Sequence, residues 1–260
     1  MRGLLGKFLY SERLRPVWTA GISWAALMLV SGCTPSVQPD IEADPRDPYE
    51  TQNRASFEFN MGLDDYVLEP TAEVYRDAVP SPVQRSVSNY LEWTSLPKTA
   101  VNSAAQGKAE NASLAVFRFA INALSFGTAD LMEGEDRPQP EDFGQTLATY
   151  NVPQGAYIVV PVLGSHTSRS LSGWIVDSVI DPFNSFNNPN RNTVRTVSIP
   201  TGAVSYRAEY FDVINDVKYN SLDPYSRVRS AYFQQRDGLL ADNGVVMDEQ
   251  DDDFDSFFDN

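Results

Sequence analysis

One cysteine and one histidine are all that the 260 residues hold of the side chains most used for disulfides, metals and triads. A lone Cys excludes a disulfide framework and any multi-cysteine zinc site. A lone His leaves little for a histidine-based metal centre. Basic residues are scarce too, with 20 Lys and Arg against 35 Asp and Glu, a formal charge of −15. Phosphate contacts need clustered Lys and Arg, so nucleic acid is not expected as a partner. The 15 glycines are scattered and make no phosphate-binding loop. Gly164-Ser165-His166 lacks the second glycine of a nucleophile elbow, and His166 reads as a surface or loop residue rather than a base. Asp251 to Asp253 lack the glycine and terminal glutamate of an EF-hand loop. No catalytic residue, metal or cofactor is expected, and the chain does not read as an enzyme.

What is present begins with an address. Arg2, Lys7, Arg13 and Arg15 give a basic start, and Val17 to Val30 is uncharged over fourteen residues. A membrane-crossing helix takes about 20, so this run fits the apolar region of a secretory signal. It closes on Leu29-Val30-Ser31-Gly32-Cys33. An apolar run, two small residues and then the chain's only Cys resemble a bacterial lipobox, which implies cleavage before Cys33 and acylation of that residue. An ordinary signal peptide or anchor helix with an incidental Cys is the alternative. Residues 1–32 hold four of the basic residues and one acid, so the remainder carries 16 against 34, net −18. Thr34 follows Cys33; by resemblance to the lipoprotein sorting pattern, a residue other than Asp there favours the outer membrane.

The composition divides the chain into a signal peptide (1–32), a lipidated tether (33–46), a helical domain (47–240) and an acidic tail (241–260). The length suits one large domain or two small ones. The tether is rich in Pro and acid, and the tail carries seven acids from Asp248 onward, so both read as disordered. Phe254, Phe257 and Phe258 in the tail are either a short docking motif or stray aromatics. The body reads as mostly α with minor β content, built of short amphipathic helices. Asp-Pro-aromatic occurs at 47, 181 and 223. Asp accepts from free N–H groups at a helix start and Pro suits the first turn. Helix starts are expected at 47, where Glu50 would complete a capping box, and at 223; the 181 instance is weaker. Further helices are expected from Pro82, with Pro97 breaking or kinking it, over 108–125 and near 168–180, 203–219 and 223–238. In 108–125, Leu114, Phe117, Ile121 and Leu124 fall at helical spacing with Arg118 and Asn122 on the adjoining stripe. Residues 156–163 are the strong β-like run.

The string Asp47-Pro48-Tyr49-Glu50-x-x-Asn53-Arg54-x-x-Phe57-x-Phe59-Asn60-x-x-Leu63-Asp64 resembles the start of the MlaA (VacJ) lipoprotein family. The match continues through Tyr75-Arg76-Asp77, Ser88-Asn89-Tyr90, Gln106-Gly107-Lys108 and Arg118-Phe119-x-x-Asn122. Asp142-Phe143-Gly144-Gln145-Thr146-Leu147 is among its most specific pieces, and Asp223-Pro224-Tyr225-x-x-x-Arg229 closes the body. The resemblance covers about residues 45–238. It implies a compact ring-like assembly of helices in the periplasmic-side leaflet of the Gram-negative outer membrane, beside a trimeric porin. A central amphipathic channel would pass phospholipid mislocalised in the outer leaflet to a soluble periplasmic carrier, MlaC, maintaining lipid asymmetry. By the same resemblance Phe57, Phe59 and Asn60 lie by the channel, and Phe143 to Pro153 is a hairpin loop that gates it, with Gly144, Thr146, Asn151 and Pro153 fitting a mobile loop. Core packing and helix-end hydrogen bonds are the alternative for the early residues. The departures at Phe126–Asp130, Ser165 and Ser170 put local loop geometry, and an ion pair at 169–170, in doubt. A porin-associated structural lipoprotein without transport, or a phospholipase, are the competing readings.

Overall fold

The computed structural model describes residues 44–183 and 191–241. The expected signal, Cys33, most of the tether and the tail from 242 lie outside them. The described chain is mostly helical. α1 (Glu50–Leu63) passes through one π-helical turn (Asp64–Leu68) into α2 (Glu69–Ala78). α3 (Ser81–Ala105) and α4 (Ala109–Asn122) follow, then α5 (Phe143–Thr149). An antiparallel hairpin of β1 (Tyr157–Val160) and β2 (Gly164–Thr167) pairs Tyr157 with Thr167. α6 (Ser168–Ile180), α7 (Arg191–Glu209), α8 (Phe211–Asn220) and α9 (Pro224–Ala241) complete it. No described helix is long and apolar enough to cross a membrane.

The core is small. Phe57 of α1, Tyr157 and Val159 of β1, and Tyr225 and Phe233 of α9 form its buried cluster, with Phe57 edge-on to Tyr225 at 5.6 Å. Around it polar groups are buried in number, and most carry hydrogen bonds, as burial demands, although Arg118 Nε, Glu141 Oε2 and Gln145 Oε1 have none. Arg118 is 1% exposed and forks onto Asp130 at 2.7 and 2.6 Å. Asp64 receives Arg207 Nε at 2.7 Å and Lys218 Nζ at 2.8 Å.

Four local expectations are corrected. Asp47 does not cap α1: the helix begins at Glu50, and the buried Asp47 carboxylate instead accepts from Asn53, Tyr225 and Arg229, tying the chain start to α9. The last residue of the tether is docked on the body, since Arg46 C=O accepts the Tyr157 N–H at 2.8 Å and its guanidinium lies 4.3 Å over Phe233. Of the break or kink expected at Pro97, the break does not occur: α3 contains Pro97 within its span. Asp181 follows the end of α6 rather than opening a helix, its carboxylate accepting from Phe183 N–H at 2.8 Å. Asp223 behaves as expected: it accepts the Ser226 N–H and hydroxyl at the head of α9.

Candidate functional site

Helix α5 starts at Phe143 because Asp142 Oδ1 accepts the Gln145 N–H at 2.9 Å. The same carboxylate takes a two-pronged bond from Arg236 of α9, at 2.5 and 3.2 Å. Burial pushes Asp142 up, and the Arg236 hydrogen bond and charge pull it further down, leaving it below the usual carboxylate range. α5 then presses on α6 where both lack side chains: a Cβ on Gly173 would lie 2.3 Å from Gly144 N.

One turn beyond Gly173, the buried Asp177 accepts from Phe143 N–H at 3.0 Å and from Asn102 Nδ2 of α3 at 2.9 Å. Asn102 Oδ1 accepts from Thr146 Oγ1, which accepts from Gln106. A polar seam thus joins α3, α5 and α6. Burial is the main influence on Asp177 and raises its pKa; bonds from Phe143 N–H and Asn102 only partly oppose it. Beside the seam opens a cavity of about 290 Å³, with Lys98, Asp142, His166, Trp174, Asp177 and Arg236 among its walls. Its wall hydroxyls are ordered: Ser170 bonds Tyr232 at 2.8 Å, and Ser165 bonds Tyr157 at 2.8 Å.

Several large apolar side chains face outward. On α4 the buried stripe is Ala115, Arg118 and Asn122, whereas Phe117 is 64% exposed, as is Leu124 (81%) in the 3₁₀ turn that follows. The apolar stripe seen in the sequence exists, and half of it points outward. Ile175 and Val179 of α6, and Val213 and Tyr219 of α8, are likewise exposed.

The residues expected at a channel do not share one lining. Phe57 is in the core, and Phe59 is 56% exposed. Asn60 holds the hairpin end, donating to Val160 C=O at 3.1 Å and accepting from Val162 N–H at 2.7 Å. Across the body, the expected hairpin loop 143–153 is a short helix with a turn after it. Gly144 and Thr146 are buried in helix, a correction to the mobile-loop reading, since the Asp142 cap and close contact with α6 hold them. Asn151 (φ 59°) belongs to the turn, and Pro153 to the irregular segment that leads into β1. Ser170, one of the departures, completes a capping box with Thr167. At another departure, the Phe126–Asp130 turn, Asp130 engages Arg118.

Asp177, Arg236 and Lys98 were missed. A signal existed for Asp177, as the lone acid between Arg169 and Asp181 and one turn after Gly173. Asp64, Asp65 and Glu69 approach closely enough to hold a metal, but Lys218 Nζ pairs with all three and Arg207 with Asp64 and Glu69, so two side-chain cations already occupy the cluster.

A family model described as MlaA lipoprotein matches residues 45–238. The chain is 31% identical over 211 residues to the "Intermembrane phospholipid transport system lipoprotein MlaA" of Shigella flexneri, covering 78% of this chain and 82% of that one. The Haemophilus influenzae protein of the same name is 27% identical over 248 residues, covering 90% and 94%. A solved structure reported under "Structural basis for maintenance of bacterial outer membrane lipid asymmetry" superposes with a TM-score of 0.65 at 32% identity, covering 75% of this chain and 98% of that one.

Proposed function

This chain belongs to the MlaA lipoprotein family, and from that premise we propose that it moves phospholipid at the outer membrane to maintain lipid asymmetry. In this reading Cys33 carries the lipid anchor and the body sits in the periplasmic-side leaflet beside a trimeric porin. Phospholipid taken from the outer leaflet passes to the soluble carrier MlaC, with no catalytic step. Phe59 and the 143–153 segment border its path.

The observation that carries this reading is a polar seam and cavity inside a body with outward apolar side chains. Polar side chains form a seam and line a cavity inside the body, while Phe117, Leu124, Ile175 and Val179 face out. A lipid in transit needs a polar route for its head group and an apolar one for its chains, and burying unpartnered polar groups is costly. Outward side chains of this size are available for lipid or protein contact.

The test is a deletion strain complemented with this gene. Phospholipid should accumulate in the outer leaflet on deletion and clear on complementation. An outer leaflet unchanged by deletion would leave only a structural, porin-associated role.

A further inference from the structure

We infer that the cavity beside the Asp142–Arg236 pair seats a phospholipid head group, and that it selects one carrying both a phosphate and a primary ammonium. The inference rests on the phospholipid reading above and sharpens it to a substrate class.

The charges of the cavity wall carry the argument. Asp142 and Arg236 satisfy each other through two hydrogen bonds. That leaves Lys98 of α3 and Asp177 of α6, one of each sign, lining the same space. Among the described residues neither is within ion-pair distance of an opposite charge; the Lys98 charge reaches Asp177 only through space, and the hydrogen bonds to Asp177 come from the Asn102 amide and the Phe143 N–H. Each Asp177 oxygen has one such donor and a further lone pair. A simple anion would meet Lys98 but be opposed by Asp177, and a simple cation the reverse. A zwitterion satisfies both, through charge-assisted bonds that are stronger than neutral ones.

The ammonium must carry N–H groups. A carboxylate this buried is satisfied by donors, and a trimethylated ammonium has none to give. A glycerol head brings no positive charge. The apolar part of the wall is Trp174 and Leu239, and Trp174 is itself 43% exposed, which offers the chains an apolar contact at the mouth.

The test uses the full-length lipidated protein in detergent, titrated with phosphatidylethanolamine, phosphatidylglycerol and phosphatidylcholine of identical chains and read by native mass spectrometry. Phosphatidylethanolamine should bind about tenfold more tightly than the other two, which is ~1.4 kcal/mol. Asp177→Asn should bring the three lipids level. Lys98→Gln, on the half-buried wall and outside the seam, should weaken all three while preserving the melting temperature, and serves if Asp177→Asn misfolds. Soluble glycerophosphoethanolamine should compete, and inorganic phosphate should not. Equal binding of the three lipids by the unmodified protein, phosphate competing as well as the zwitterion, or an unchanged pattern in Lys98→Gln would each overturn the inference. Complementation of the deletion strain separates the two readings. Clearance without head-group preference sinks this inference alone, and preference without clearance sinks the transport reading.

Discussion

Val162, at the tip of the hairpin, holds φ at 70° although it is β-branched and largely exposed. The left-handed region costs such a residue about 1–2 kcal/mol, while Asn tolerates it. Val162→Asn keeps the N–H that Asn60 accepts, and should raise stability by about 1 kcal/mol in urea unfolding; no gain would mean that the turn is relaxed. Gly173 has the opposite constraint. A methyl group there would strike Gly144 N at 2.3 Å, so Gly173→Ala should cost about 1–3 kcal/mol, the usual cost of overpacking. Gly62 in α1 has nothing within 4 Å of its missing Cβ, and Gly62→Ala should stabilise by about 0.5–1 kcal/mol. Asp177 gives a pH signature. Its folded pKa is raised, chiefly by burial, so the folded state holds the proton more tightly than the unfolded chain. Its contribution therefore declines as pH rises from the unfolded value near ~3.9 through the folded one. Asp130 and Asp142 are lowered overall, as hydrogen bonds and neighbouring cations outweigh burial. Their stabilisation is present above ~3.9 and lost as pH falls through their folded values. Melting curves across this range should lose the declining component in Asp177→Asn; parallel wild-type and variant profiles would refute the assignment.

Helix α1 acts as a third strand for the hairpin, through side chains rather than backbone. Asn53 Nδ2 donates to Tyr157 C=O at 3.0 Å and Asn53 Oδ1 accepts from Val159 N–H at 2.8 Å. Two turns on, Asn60 repeats the arrangement with Val160 and Val162, and Phe57 fills the core between them. Asn53→Ala leaves the inner groups of β1 without partners, which costs about 1–3 kcal/mol for each buried group. It should also speed hydrogen exchange at Val159; unaltered exchange there would show that water takes over the bond. The spacing of Asn53, Phe57 and Asn60 made one helix face legible in the sequence. What that face meets was not, because its partner lies about 100 residues away. The same limit explains α5. Gly, Asn and Pro in 143–153 suggest a loop, and a helix forms because Asp142 caps it and distant Gly173 and Asp177 receive it. In α4 the period was legible and the buried side was not, since Arg118 goes inward only because Asp130 and the carbonyl oxygens of Glu135 and Asp136 meet it there.

Taken whole, the molecule sets a negative charge against an apolar exterior. Residues 33–260 carry −18, and an anionic membrane surface repels such a chain, whereas polybasic proteins are drawn to it. On the proposed function, lipid contact comes from an acyl anchor at Cys33 and from outward side chains such as Phe117 and Leu124. The two contributions separate in a Cys33→Ser chain without residues 1–32. That chain should still bind vesicles containing anionic lipid, through apolar contact alone. Raising salt shortens the range of charge repulsion to about 3 Å at 1 M, so binding should hold or strengthen. Phe117→Glu with Leu124→Glu should weaken it by an order of magnitude or more, since each buried side chain of this size contributes about 1.5–3 kcal/mol. Both positions are exposed, so the melting temperature in detergent-free buffer should not fall. Sedimentation with vesicles at low and high salt reads both effects. Binding that drops steeply with salt would show that charge, not apolar contact, holds the body to lipid.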